Sequence, residues 1–391
     1  MPTSKSTDID KHFFNRKKDL TFIKTQLSML KEDIPPQLLI TGYRGVGKTF
    51  LLRKVLHDLP ESYLCVILDL SEVSQNGKNR LSEEKLLKEL LNKINESVEI
   101  NDSTYPDLKN KFLHALNKIK LKNYNFTSEY EIFDIPISVI KDNYEEFSKF
   151  VIELPQKIVD LYENIDAFVI VIDEFQLMRY LNVSSAFFCL IQSSTQKQFN
   201  VSYIFAGSLS KTAKIIDTIN GPNGTFGGSL ISYNIEPFTK EETRRYVNKK
   251  AFKIQFSDDG FEIFYRSTVG IPLYIDSFVN VLPNNVICDE EFIRDKLYFN
   301  ADQIAAPSLL IWIELTQGEK EFIIYLIEND GGFLEDFYKN FGHVKSSILR
   351  FIDSLLHKGI IEYTSSGYVV CDIMLKNWLI IYHKNNGYWP V

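Results

Sequence analysis

Cysteine is scarce: the 391 residues hold four, Cys65, Cys189, Cys288 and Cys371. Their wide spacing makes no metal-ligand pattern, and three lie in apolar runs. They read as small core residues of a reduced protein rather than as a disulfide frame. No stretch approaches about 18 uninterrupted apolar residues, so no transmembrane helix is expected. The opening MPTSKSTDIDK lacks the apolar segment of a secretory signal, and a cytoplasmic protein is the expectation. Positive charge is not in surplus either. Lys and Arg number 44 against 51 Asp and Glu, a net charge of −7, so no global field draws the chain to nucleic acid or an anionic membrane. What is present is apolar mass: 45% hydrophobic and 13% aromatic residues, enough for buried cores in two or three domains.

The most specific stretch is Gly42-Tyr43-Arg44-Gly45-Val46-Gly47-Lys48-Thr49, a match to GxxxxGK[ST]. The apolar run Gln37–Thr41 precedes it, and Phe50–Leu56 continues it as a helix-like run. Strand, glycine loop and helix in that order are the context in which such a loop cradles phosphate. Glycines let backbone N–H groups curl around an anion, and the helix start adds its positive dipole end. Lys48 is placed to reach the β- and γ-phosphates of a nucleotide, and the Thr49 hydroxyl to ligate Mg²⁺.

A second stretch, Phe168-Val169-Ile170-Val171-Ile172-Asp173-Glu174, runs five strand formers into two carboxylates. Alone it could be an ordinary strand ending in a solvated acidic turn. Downstream of a phosphate loop it reads as acids at the carboxyl edge of a buried parallel strand, where ligands bind. Asp173 then holds Mg²⁺ through water and Glu174 orients and deprotonates the attacking water. Val201–Ala206 is a further strand, ending in Gly207-Ser208. Ser208 either sets a hydroxyl beside the γ-phosphate or caps the helix pattern Leu209–Ile219.

Tyr63–Leu70 and Ser229–Ile235 complete five strands interleaved with helices, which predicts an α/β fold with one doubly wound parallel sheet. Residues 1–237 form this nucleotide-binding domain, with 99–145 as an insertion: a helix at 107–120 and a hairpin within 121–140. A helix from Tyr144 to Asn164 is interrupted or bent near Pro155. Residues 220–228 hold four of the 18 glycines and read as a mobile loop. Thr239-Lys240-Glu241-Glu242 fits a capping box and opens an all-helical domain over 238–317, with breaks at 258–260, 270–272 and 283–285. Helices at 319–329, 333–341 and 343–358, then strands Ile360–Tyr363 and Tyr368–Cys371, give residues 318–391 a winged-helix pattern. That region has seven Lys/Arg against nine Asp/Glu. Its charge favours protein packing or regulation over DNA, although His343, Lys345, Ser346, Ser347 and Arg350 open its third helix.

In this order the chain resembles the AAA+-related P-loop ATPases, most of all the STAND class of signal-transduction ATPases and its archaeal-type branch. The resemblance spans about residues 13–383. Beyond Gly42–Thr49 and Asp173-Glu174 it rests on three weaker motifs. Phe13-Phe14-Asn15-Arg16 is similar to a box near the adenine, which implicates Arg16. Gly270-Ile271-Pro272 is similar to a lid motif whose proline, Pro272, packs near the base. The tail Gly367–Asp372 with Leu375 and Trp378 is similar to a winged-helix ending. The resemblance implies ATP and Mg²⁺ as ligands, phosphate-loop contacts from Gly42 through Phe50, and a helical lid over 238–317. Two departures stand out. Asn15 replaces the usual glycine of the box, and Gly227-Gly228-Ser229 lacks the arginine that follows the glycine loop. Arg244 and Arg245 are near in sequence but read as helix surface. Slow hydrolysis follows, in a switch where ATP sits between sheet and lid, with room for an arginine supplied in trans by self-assembly or a protein partner. The alternatives are a DNA-binding ATPase resembling origin or transcription regulators, and a scaffold that keeps its nucleotide unhydrolysed.

Overall fold

The computed structural model describes residues 8–75, 82–101, 131–132, 135–136, 144–180, 184–207, 219–222 and 224–390. Five strands form one sheet: β1 (Leu38–Gly42), β2 (Tyr63–Asp69), β3 (Ala167–Asp173), β4 (Val201–Ala206) and β5 (Ile231–Ile235), in the order β2-β3-β4-β1-β5. The expected five-stranded parallel α/β sheet is present. β3 is buried along its whole length, which is why its sequence shows no polar alternation. It pairs with β2 from Tyr63↔Ala167 to Asp69↔Asp173, and with β4 from Phe168↔Val201 onward. β1 pairs with the other side of β4, Leu38 opposite Ile204. β4 therefore lies between the strand that enters the phosphate loop and the strand that ends in the acid pair.

The chain divides into two compact units. The first comprises 1–40, 49–207 and 215–233; the second comprises 41–48, 208–214 and 234–391. In the first, the helix Lys17–Ser28 buries Ile23 and Leu27, and Tyr144–Leu161 runs through Pro155 without a break. Of the expected insertion, the described residues show Glu131–Ile132 paired antiparallel with Ile135–Pro136, a hairpin within 121–140. The helix expected at 107–120 lies outside the described residues.

In the second unit, Thr239 caps Lys240–Lys250 through a reciprocal box: Glu242 N–H donates to Thr239 Oγ1 at 3.2 Å and Thr239 N–H to Glu242 Oε2 at 2.9 Å. The stretch 238–317 is not wholly helical. Gln255–Phe256 and Ile287–Cys288 form a short parallel pair, and Gly260 packs its bare Cα against the Cys288 carbonyl with no room for a side chain. Helices Gln317–Glu328, Leu334–Asn340 and Lys345–His357 precede an antiparallel hairpin, Ile361–Thr364 with Gly367–Val370. Phe322 sits at their centre, 5.0 Å from Phe337 and 5.2 Å from Phe341 between ring centroids. A last helix, Ile373–Asn386, was not expected. Asp372 caps it by accepting from Leu375 N–H at 3.0 Å, and Gly387 ends it in a left-handed turn.

Candidate functional site

In the first unit the helix Lys48–His57 puts Thr49 in its first turn, and β3 ends at Asp173. The Thr49 hydroxyl donates to Asp173 Oδ2 at 2.6 Å, and the Glu174 N–H donates to Asp173 Oδ1 at 2.9 Å. Asp173 is only 1% exposed, so its charge is held by these directed contacts rather than by bulk water. A hydroxyl and a carboxylate at this separation are hard oxygen donors of the kind Mg²⁺ accepts while phosphate and water fill its other positions. Among the described residues no group of three or more His, Cys, Asp or Glu offers an all-protein cage. The residues present therefore fit Mg²⁺ held jointly with a phosphate ligand.

Glu174 has φ 53°, a left-handed conformation that costs a non-glycine residue about 1–3 kcal/mol. The turn is pinned by Leu177 N–H donating to the Glu174 carbonyl at 2.9 Å, and the side chain of Gln176 donates to the Glu174 carboxylate. Gly207, just after β4, donates its N–H to the Ile40 carbonyl at 3.1 Å. Ser208 lies outside the described residues. Farther along this unit, Asn15 and Arg16 both take positive φ, 56° and 64°. That is the backbone a glycine would favour, and an Asn tolerates it. Arg16 faces Asp19 at 3.6 Å, which also accepts the Tyr233 hydroxyl at 2.8 Å. The rings of Phe13 and Phe50 stack 6.1 Å apart.

In the second unit lies the loop Thr41–Lys48. Lys48 is 5% exposed, and its ammonium donates to the carbonyls of Gly42 and Tyr43, each at 3.0 Å. Val46 N–H donates to the same Tyr43 carbonyl at 3.2 Å. Gly45 has φ 77°, and a methyl there would meet Leu273 Cδ2 at 2.8 Å; its carbonyl accepts the Leu273 N–H at 3.2 Å. Pro272 takes the first position of the helix Pro272–Val279, where its missing N–H costs nothing, and so delivers Leu273 to the loop. The Tyr43 hydroxyl donates to Glu362 on the C-terminal hairpin at 3.1 Å. Burial, followed by the Glu362 charge and hydrogen bond, pushes that phenol well up from its ordinary pKa, so it stays a donor. Arg44 reaches the Pro307 carbonyl at 3.4 Å.

Two contacts escaped sequence reasoning, those of Gln176 and Glu362. Neither belongs to a spacing motif. Gln176 had only its place two residues beyond Glu174 to mark it, and Glu362 had no local signal at all. Arg244 and Arg245, read as helix surface, lie there: Arg244 pairs with Asp258 at 3.0 Å and lies over the Phe261 ring at 4.2 Å, and Arg245 is exposed.

A strand–loop–helix phosphate cradle and an Asp-Glu pair on a five-stranded parallel sheet define a P-loop ATPase domain. The chain belongs to the family described as an ATPase domain predominantly from Archaea, whose model matches residues 13–278. Among solved structures it is similar to a Walker-type ATPase of Pyrococcus abyssi, with a TM-score of 0.65 and 16% identity over 94% of this chain and 96% of that one. It is also similar to the Aeropyrum pernix ORC1 protein, solved in complex with DNA, with a TM-score of 0.48 and 12% identity over 97% and 95% of the two chains. At 16% identity the first likeness is one of fold. No curated protein matches the sequence. Among the described residues no helix is long and apolar enough to cross a membrane.

Proposed function

We propose that the chain is an ATP-dependent switch that hydrolyses slowly and whose nucleotide state sets the position of the C-terminal winged helix. The observation that carries this reading is the bond from Tyr43, inside the phosphate loop, to Glu362 on the hairpin. A polyphosphate that rearranges the loop acts on the hairpin through one side chain. Lys48 supplies the other half of the argument. Its two carbonyl acceptors lie within the loop itself, so binding ATP exchanges them for β- and γ-phosphate oxygens and frees the Gly42 and Tyr43 carbonyls to move. Charge placed at the loop thereby becomes a two-state mechanical change.

Thr49 and Asp173 would hold Mg²⁺, which neutralises charge on the bridged phosphates when bound. Glu174 deprotonates water, and Arg16 and Pro272 belong to the base-binding side. Slow turnover follows from the engagement of Arg244 with Asp258 and Phe261 and from the lack of arginine at 227–229. A partner or a second copy supplying an arginine would raise it. A DNA-binding reading gains no support from the C-terminal region, where Lys345 lies 4.9 Å over Tyr338 and Arg350 lies 5.8 Å over Phe351 in a locally acidic segment.

Amide hydrogen exchange tests the switch. Adding ATP with Mg²⁺ is expected to change protection across Ile361–Val370 in the wild type and to leave Lys48→Ala unaffected. Unchanged exchange in a wild type that demonstrably binds ATP overturns the coupling.

A further inference from the structure

Gln176 lies two residues past the acid pair, in the short 3-10 turn Phe175–Tyr180, and is 8% exposed. Its side-chain N–H₂ donates to the Glu174 carboxylate. An ionised carboxylate only accepts, so the chemistry of this contact fixes which end of the amide faces Glu174. The opposite end is then the carbonyl oxygen Oε1, and among the described residues it has no hydrogen-bond partner. Buried acceptors in native folds are rarely left so, and one beside an acid pair points to a ligand that donates.

The fold keeps space for that oxygen. Gly207, directly after β4, lies against it: a methyl at Gly207 would run into Gln176 Oε1 and approach the Phe175 ring at 2.9 Å. The orphaned oxygen, the strained Glu174 turn and the Thr49–Asp173 contact all belong to the first unit and to the same edge of its sheet.

We infer that Gln176 is the positioning residue for the hydrolytic water. Its N–H₂ holds the Glu174 carboxylate in place, and its Oε1 accepts one O–H of the water whose other O–H faces Glu174. With both hydrogens directed, the water lone pair is aimed at the γ-phosphorus. The water oxygen bonds to that phosphorus as the bond to the β,γ-bridging oxygen breaks, and ADP leaves with the electron pair. One proton passes to Glu174 and then to solvent; the other stays on the phosphate product. The inference rests on the reading of Glu174 as the base for ATP hydrolysis.

Steady-state ATP turnover by the full chain tests it, with Glu174→Gln, Gln176→Ala, Gln176→Met and Gln176→Glu compared over a pH range. Gln176→Ala and the near-isosteric Gln176→Met are expected to lower kcat by about 10–100-fold, with KM and ATP binding within about twofold, since they lose only the positioning part of a general-base contribution of about 100–10,000-fold. Gln176→Glu restores an acceptor, so its kcat per folded molecule is expected to exceed that of Gln176→Met. A merely structural Gln176 would change the amount of folded protein and leave kcat per folded molecule at the wild-type value in every Gln176 variant. If Glu174→Gln is inactive while folded Gln176→Met turns over at the wild-type rate, the inference is wrong and the hydrolytic reading stands. If Glu174→Gln keeps wild-type turnover, the reading beneath it falls first.

Discussion

Asp173 at the end of β3 and Glu319 near the start of the helix Gln317–Glu328 are both buried carboxylates, 1% and 4% exposed. Their surroundings differ. Each oxygen of Glu319 meets two donors: Oε2 takes the N–H and the hydroxyl of Thr316, both at 2.8 Å, while Oε1 takes the Ser354 hydroxyl and the Lys358 ammonium, the latter at 3.1 Å. These donors come from one cap and one neighbouring helix, and together they serve the packing of the C-terminal helices. Around Asp173 the contacts are made by groups with chemistry of their own: the Thr49 hydroxyl, and the backbone of a Glu174 held in a left-handed turn. Beside them lies an amide oxygen with no hydrogen-bond partner among the described residues. Burial of a carboxylate therefore does not mark function; the company it keeps does.

The contrast can be broken by experiment, and the largest effect belongs to the acid pair. Glu174→Gln is expected to cut ATP turnover by about 100–10,000-fold while ATP affinity holds within a few fold. Asp173→Asn should lose the dependence of binding on Mg²⁺ with little change in unfolding midpoint. Wild-type turnover in the first, or intact Mg²⁺ dependence in the second, would make this edge as structural as Glu319. Next comes the converse: Glu319→Gln should leave turnover per folded molecule within about twofold and destabilise the chain by about 1–3 kcal/mol, since hydrogen bonds to a charged, buried acceptor are lost. A denaturant midpoint equal to that of the wild type would refute it.

Acid titration sharpens the same point. Burial alone would raise the Glu319 pKa, but the Ser354 and Thr316 hydrogen bonds and the Lys358 charge outweigh it and hold the carboxyl below its ordinary value. A depressed folded pKa contributes stability that is complete above the unfolded value, about 4.3, and is lost as pH falls through the folded value. Wild type should therefore lose stability below about pH 4.3 with a component that Glu319→Gln lacks. Equal acid slopes in the two proteins would count against the assignment. The smallest expected effect is Tyr43→Phe. If ATP must loosen the Glu362 bond, removing it should tighten ATP binding by about fivefold, the equivalent of about 1 kcal/mol for one hydrogen bond. Unchanged affinity by calorimetry would mean that the bond survives nucleotide binding.

Legibility in the sequence followed locality. Four of the five strands show as largely apolar runs because neighbours cover them, β3 being buried throughout, whereas β5, with the sequence ISYNI, is only partly covered. The loop Gly42–Thr49 and the pair Asp173-Glu174 are legible because each is a run of residues adjacent in the chain. The final helix Ile373–Asn386 was missed although Asp372 and Gly387 cap it, because its apolar residues Met374, Leu375, Trp378 and Leu379 continue directly from the hairpin. Gln176 was missed for a different reason. Its importance lies in one oxygen without a partner, and only three-dimensional packing against Gly207 reveals that.

The Tyr43–Glu362 bond joins residues 319 positions apart, and its second member lies well beyond the residues 13–278 that the family shares. At synthesis rates of about 5–20 residues per second, Glu362 follows Tyr43 out of the ribosome by about 15–60 seconds. For that interval the newborn chain carries the residues of the phosphate loop without the acceptor of its tyrosine. Whatever ordering the bond lends the loop is therefore absent until the C-terminal hairpin has been made.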